Sequence, residues 1–121
     1  MEKRFGFPKK RRLRTTSDYQ AVRTQGRPVH GSLLLLGVLD RENGAPPRAG
    51  IIVSRKVGNS VVRSRVKRLL RELARHHLGD LRAGIDMVLV AKRGAAAANL
   101  QDFVQEWLRL AKRASILRES E

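Results

Sequence analysis

The chain contains no cysteine. That excludes a disulfide framework, a thiol nucleophile and any zinc site built on cysteine. Long apolar runs are also missing. The longest, Leu33 to Leu39 with Gly37 counted in, is seven residues, against ~20 for a membrane-spanning helix. Residues 1–14 are too charged for the apolar segment of a secretory signal, and an Arg-rich transit peptide is the one targeting alternative they leave. Acids are scarce: 11 Asp and Glu stand against 26 Lys and Arg, a formal charge of +15. Self-repulsion of that size costs stability, so it points to a partner of opposite sign, whether nucleic acid, an anionic membrane or an acidic protein.

Catalytic constellations are absent too. The only histidines are His30, His76 and His77. The adjacent pair cannot share a helix face, and no carboxylate lies at a metal-ligand spacing from His30. No G-x-S-x-G elbow occurs, and the acids are scattered. The chain is therefore expected to do no bond chemistry by itself.

What is present fits one domain, at 121 residues and 41% apolar content. Residues 1–14 carry seven basic side chains and one acid and read as a mobile basic arm, with residues 15–121 as the domain. Ser17 and Gln20 fit a capping box opening a short helix over 17–25, which Gly26 and Pro28 stop. Leu33–Leu39 and Ala49–Ser54 read as strands, with room for a short extra strand near Val29. A strong helix begins at Asn59 or Ser60 and runs to about His77, with Val62, Val66, Leu69, Leu70 and Leu73 as its core stripe. Ile85–Ala91 is a further strand. Asn99 caps a last helix reaching about Leu117, whose apolar face includes Phe103 and Trp107. None of the strands carries an aromatic, so the base-stacking sheet of an RRM is excluded. Tyr19 is the one aromatic that suits either base stacking or the core. The order α-β-β-α-β-α predicts an α+β sandwich, with helices against one mixed sheet.

Charge concentrates on the central helix. From Arg55 to Arg75 there are eight cations and one anion, Glu72. Arg63, Lys67, Arg71 and Arg75 recur at i+4, with Ser64 and Arg68 in or beside that ridge. Cations at this spacing sit ~6 Å apart and repel one another, which fits phosphate binding better than an idle solvated face. Before the helix, Arg55 and Lys56 flank a Gly58-Asn59 junction, and the helix start adds unpaired N–H groups, together a candidate anion pocket.

Residues 49–74, AGIIVSRKVGNSVVRSRVKRLLRELA, resemble the bacterial ribonuclease P protein component. The resembling positions are Arg55-Lys56, Gly58-Asn59, Arg63-Ser64-Arg65, Lys67-Arg68 and Arg71-Glu72. Phe7-Pro8, Arg12-Leu13, Ser17-Asp18-Tyr19, the strand from Met87 and the helix with Trp107 extend the likeness over nearly the whole chain.

The resemblance implies a single-domain, ribosomal-protein-like α-β sandwich with a left-handed β-α-β crossover. It implies a cytoplasmic protein, a monomer in a 1:1 complex with the catalytic ribonuclease P RNA, with no membrane role. Such a protein helps remove the 5′ leader of precursor tRNA while the RNA and its Mg²⁺ do the chemistry. The RNA-facing set would be Arg55, Lys56, Asn59, Arg63, Ser64, Arg65, Lys67, Arg68, Arg71 and Arg75. Tyr19 and Arg23 would meet the leader, with Arg12 and Arg14 nearby. Ser64 replaces the family's Asn, Arg23 stands where an aromatic is common, and Gly37 where some relatives carry Tyr, so the leader cleft is expected to be more electrostatic than aromatic. The alternatives are a structural RNA-binding protein, for example of the ribosome, and a basic DNA-binding protein.

Overall fold

The computed structural model describes residues 7–119. Residues 1–6, which include Phe5 and the first part of the basic arm, lie outside the described residues, as do 120 and 121.

Three helices and four strands follow in the order α1 (Thr16–Gln25), β1 (Arg27–His30), β2 (Leu34–Asp40), β3 (Arg48–Ile52), α2 (Ser60–His77), β4 (Ile85–Ala91) and α3 (Leu100–Ala114). The strands form one mixed sheet in the order β1-β2-β4-β3. β1 with β2 and β2 with β4 are antiparallel, and β3 with β4 is parallel. The β3-α2-β4 segment is thus a β-α-β unit between neighbouring strands, and the α+β sandwich expected from the sequence is present.

β4 lies at the centre and is covered on both faces. Ile85, Met87 and Leu89 join Val66, Leu70, Leu73, Phe103 and Trp107 in the main core, beneath α2 and α3. Trp107 is fully buried, and its indole N–H points to the Met87 sulfur at 3.3 Å, which supplies the partner a buried indole needs. On the other face Val88 packs with Leu13 and Val22 beneath α1.

Local chemistry sets the helix ends. The α1 cap is Thr15, whose hydroxyl accepts from the Asp18 amide at 3.0 Å. The expected Ser17 cap is thereby corrected by two residues. In this frame Asp18 falls in the third helical position, where its carboxylate also reaches Arg48 at 3.5 Å. α2 starts where expected, with the Asn59 side chain accepting from the Val62 amide. α3 opens on a reciprocal Asn99–Asp102 capping box. It stops at Ala114, three residues before Leu117, because Ser115 turns left-handed (φ 59°) and returns Ile116 to the core. β3 ends at Ile52 rather than Ser54, where the chain enters a 3-10 turn over Arg55–Val57.

The basic segment before α1 is docked where it is described. Leu13 is buried, its amide donates to the Ala49 carbonyl at 2.9 Å, and Arg12 bridges Ala49 in parallel along the outer edge of β3. Arg11 donates to the Pro47 carbonyl at 2.7 Å.

Two buried carboxylates tie elements together. Asp86, at the start of β4, takes two bonds from Arg48 at 3.0 and 2.8 Å and lies 3.0 Å from Arg41. Arg48 also reaches Asp18, so this cluster fixes the first turn of α1 to the sheet. The hydrogen bond to Asp86 is the main cause that raises the Arg48 guanidinium above its ordinary value. Glu106 of α3 accepts from the Ser32, Leu33 and Leu34 amides and the Ser32 hydroxyl, at 2.7–3.1 Å. Burial pushes this carboxyl upward, but those four bonds overcome it and hold it below the ordinary glutamate range.

Candidate nucleic-acid interface

The cationic face of α2 is built by helical geometry, but its centre is not the i+4 ridge. Four residues turn the helix ~400°, so a ridge of three such steps sweeps ~120° around the axis. Its two ends cannot share one face. The exposed line is Ser60, Val61, Ser64, Arg68 and Arg71. Lys67 lies half-buried at its side. Arg63 sits toward the core margin, with its Nε buried and without a hydrogen-bond partner among the described residues.

The remaining α2 residues divide by what they already hold. Arg65 donates to the carbonyls of Ala96 and Ala98 at 3.2 and 2.7 Å, which fastens α2 to the turn before α3. Arg75 grips Glu72 with its closest contact at 2.7 Å. The Arg75 hydrogen bond is the main cause that lowers Glu72. Asn59 is engaged as the helix cap. The side chains of Lys67, Arg68 and Arg71 make no hydrogen bond or ion pair among the described residues, and neither do those of Arg55 and Lys56 on the 3-10 turn ahead of the helix. Gly58 is needed at that junction because a Cβ there would stand 2.9 Å from Val62.

On the opposite face of the sheet, a cleft of about 390 Å³ runs beside α1. Tyr19 and Arg23 form its helical wall. Leu35, Gly37, Val88 and Val90 give an apolar floor, which Ile52 of the edge strand β3 extends. Ile52 is 40% exposed, an apolar surface presented to the cleft rather than to the core. The Arg23 side chain is exposed and makes no hydrogen bond or ion pair among the described residues. Arg27 also lines the cleft, but its guanidinium is bonded to the Ala114 carbonyl.

Tyr19 is half-buried. Its ring packs against Gly50, where a Cβ would be 2.6 Å from its Cε1, and its hydroxyl accepts from the Ile51 amide at 3.3 Å. Tyr19 is thus part of the packing under α1 and part of the cleft wall. Sequence patterning missed Gly50, Leu35, Val88 and Val90. The only available signal was that these strand residues alternate with core-facing ones.

Arg12 and Arg14 do not line this cleft. With Lys9, Lys10, Asp18 and Arg48 they surround a second depression of about 420 Å³, separated from the first by the opening turn of α1. Arg12 donates to the Phe7 carbonyl and covers the Phe7 ring at 5.0 Å, a cation–π contact.

Among the described residues, no group of three or more His, Asp or Glu is placed to hold a metal ion. Three of the carboxylates are committed elsewhere: Asp86 and Glu106 by the bonds above, and Asp40 by Arg82 at 3.3 Å. The described residues thus do not fit a protein-borne Mg²⁺ site. Nor is any helix among them long and apolar enough to cross a membrane.

The geometry resembles known proteins throughout. The Ribonuclease P family model matches residues 7–115. The chain is 38% identical over 109 residues to a ribonuclease P protein component of Brevibacillus brevis, covering 90% of this chain and 86% of the relative. It is 43% identical to that of Desulfovibrio desulfuricans, covering 81% and 76%. Among solved structures, the ribonuclease P protein of Staphylococcus aureus superposes with a TM-score of 0.79 at 24% identity, over 89% of this chain and 98% of that one. The protein of Thermotoga maritima does so with a TM-score of 0.74 at 24% identity, over 84% and 97%.

Proposed function

The chain belongs to the ribonuclease P protein family, and from that membership we propose which of its surfaces meets which RNA. It is the RNA-binding protein subunit of an endoribonuclease that removes the 5′ leader of precursor tRNA, with catalysis residing in the RNA subunit. The exposed face of α2, centred on Ser64, Arg68 and Arg71 and continued by Lys67, Arg55 and Lys56, docks on that RNA. The α1 cleft takes the single-stranded leader. Tyr19 offers a π-face to a base, Arg23 a cation to a phosphate, and the floor of Leu35, Val88 and Val90 an apolar bed that reads no base edge.

The observation that carries this reading is the placement of Ile52. It lines the cleft at the last residue of β3 and lies three residues before Arg55, so the apolar bed leads toward the free cations of the α2 junction. A strand held in the cleft is thereby delivered to the RNA docked on α2. Arg65, Arg75 and Asn59 support this face from behind, through the Ala96 and Ala98 carbonyls, Glu72 and the helix cap. The protein acts as a monomer in a 1:1 complex with the RNA, in the cytoplasm. Mg²⁺ belongs to the RNA subunit, and by neutralising phosphates this chain lowers the Mg²⁺ needed to bind substrate.

The test is 5′ processing of a precursor tRNA by a bacterial ribonuclease P RNA at low Mg²⁺, with and without the chain. Stimulation is expected. The pair Arg68→Ala and Arg71→Ala should remove it by weakening holoenzyme assembly. The pair Tyr19→Ala and Arg23→Ala should instead erase the preference for precursor over mature tRNA, with assembly intact. An unchanged Mg²⁺ requirement in the presence of the chain would sink the proposal.

A further inference from the structure

The second depression, beside the first turn of α1, has no part in the cleft, yet it is the more strongly charged of the two. Its wall carries Lys9, Lys10, Arg12, Arg14 and Arg48 against one acid, Asp18. That acid is already committed: it faces Arg48 at 3.5 Å and accepts from the Arg14 amide at 3.5 Å. Arg48 in turn is held by Asp86, and Arg12 by the Phe7 carbonyl. The side chains of Lys9, Lys10 and Arg14 are exposed and make no hydrogen bond or ion pair among the described residues.

These three cations do not sit on a loose segment. A 3-10 turn spans Lys9–Arg11, Arg11 is bonded to the Pro47 carbonyl, and the buried Leu13 is bonded to Ala49. Fixing like charges close together on a docked backbone is unfavourable unless an anion relieves it. The two hollows meet at consecutive residues: Thr15 lines the charged one and Thr16 the apolar one. A polyanion lying in the cleft that continues past Thr16 meets these cations next.

We infer that this depression is a second RNA site, which binds backbone phosphates of the distal part of the leader after it has passed over the first turn of α1. The inference rests on the leader occupying the cleft. It divides the labour: the cleft holds the near nucleotides by stacking and apolar contact, and the depression holds the far ones by charge alone. The distal grip is therefore indifferent to sequence and sensitive to salt.

The experiment uses the holoenzyme with three substrates, namely mature tRNA and precursors with leaders of about 4 and about 12 nucleotides, a range typical of single-strand sites. Affinity is measured across a salt series for the wild type and for a chain carrying Lys9→Ala, Lys10→Ala and Arg14→Ala. The wild type should prefer the long leader to the short one. The triple variant should lose about tenfold in affinity for the long leader, with a log–log salt slope shallower by about 2, as three single-strand phosphate contacts would give. Its affinity for the short leader and for mature tRNA should not change. Equal losses on all three substrates would overturn the inference and assign the patch to the RNA subunit or the tRNA body. No loss on the long leader, or no long-leader preference in the wild type, would also overturn it. The pair Tyr19→Ala and Arg23→Ala, scored on the short leader, reports on the cleft separately.

Discussion

Replacing Glu106 by glutamine tests how this small core is held. Each carboxylate oxygen receives at least two donors: Oε1 takes the Ser32 amide and hydroxyl, with the Arg109 guanidinium at 3.5 Å, and Oε2 the Leu33 and Leu34 amides. An amide side chain keeps the shape but turns one acceptor into a donor. With its oxygen toward Leu33 and Leu34, its nitrogen confronts the Ser32 amide. The hydroxyl can rotate to accept, and the amide N–H cannot. One backbone donor is then stranded, at about 1–3 kcal/mol, and the bonds that remain lose their charge assistance. The expected loss is about 2–4 kcal/mol. At roughly 3–5 °C per kcal/mol for a chain of this size, the Tm should fall by about 10 °C.

The pH dependence has a definite sign. The folded-state pKa of Glu106 lies below its unfolded value, so the unfolded chain binds more protons between the two. The stabilisation is complete above the unfolded value near ~4.3 and is lost as pH falls through the folded one. The gap between wild type and Glu106→Gln, followed by circular dichroism on heating, should therefore be wide at neutral pH and should narrow in acid below ~4. A gap of ~1 °C at neutral pH, or one that stays constant into acid, would refute the account.

Arg65→Ala and Arg68→Ala, three residues apart on one helix, should behave oppositely. The first strips two carbonyls of their donor and should cost about 1–3 kcal/mol in urea unfolding. The second should leave stability within ~0.5 kcal/mol and make the salt slope of RNA binding shallower by about 1. Gly50→Ala should displace Tyr19, destabilise by about 1–3 kcal/mol and weaken leader binding. Adding Tyr19→Ala should remove most of that extra cost, a coupling that a double-mutant cycle measures.

The long α2 helix and the central strand were legible because their patterns are local. α2 carries a helical stripe from Val62 to Leu73 with a capping residue at Asn59. Ile85–Ala91 is apolar apart from Asp86 and is bounded by Gly84 and Lys92. What was not legible depends on groups distant in sequence. Arg65 belongs to a basic motif in the chain, and only the Ala96 and Ala98 carbonyls, 31 and 33 residues away, turn it into a fastener. Leu13 is one apolar residue in a basic stretch, and its docking on Ala49 spans a gap that no periodicity records. The i+4 reading of the α2 cations ignored the drift of the helix, which carries Arg63 inward. Glu106 did leave a signal: an acid between Phe103 and Leu110 on an apolar face must find several donors or it would not be there.

The cleft tyrosine has a second consequence, for the protein before it meets RNA. β3 is an outer strand of the sheet, and outer strands invite pairing with strands of other copies. Here residues 12 and 13 occupy one stretch of that border, and the Tyr19 hydroxyl occupies the Ile51 amide beyond it. At the far border β1 carries Pro28, which has no amide hydrogen to give, and Arg113 of α3 reaches the His30 carbonyl at 3.4 Å. Both margins of the sheet are closed to growth, so newly made chains awaiting their RNA are kept from templating one another by geometry as well as by charge.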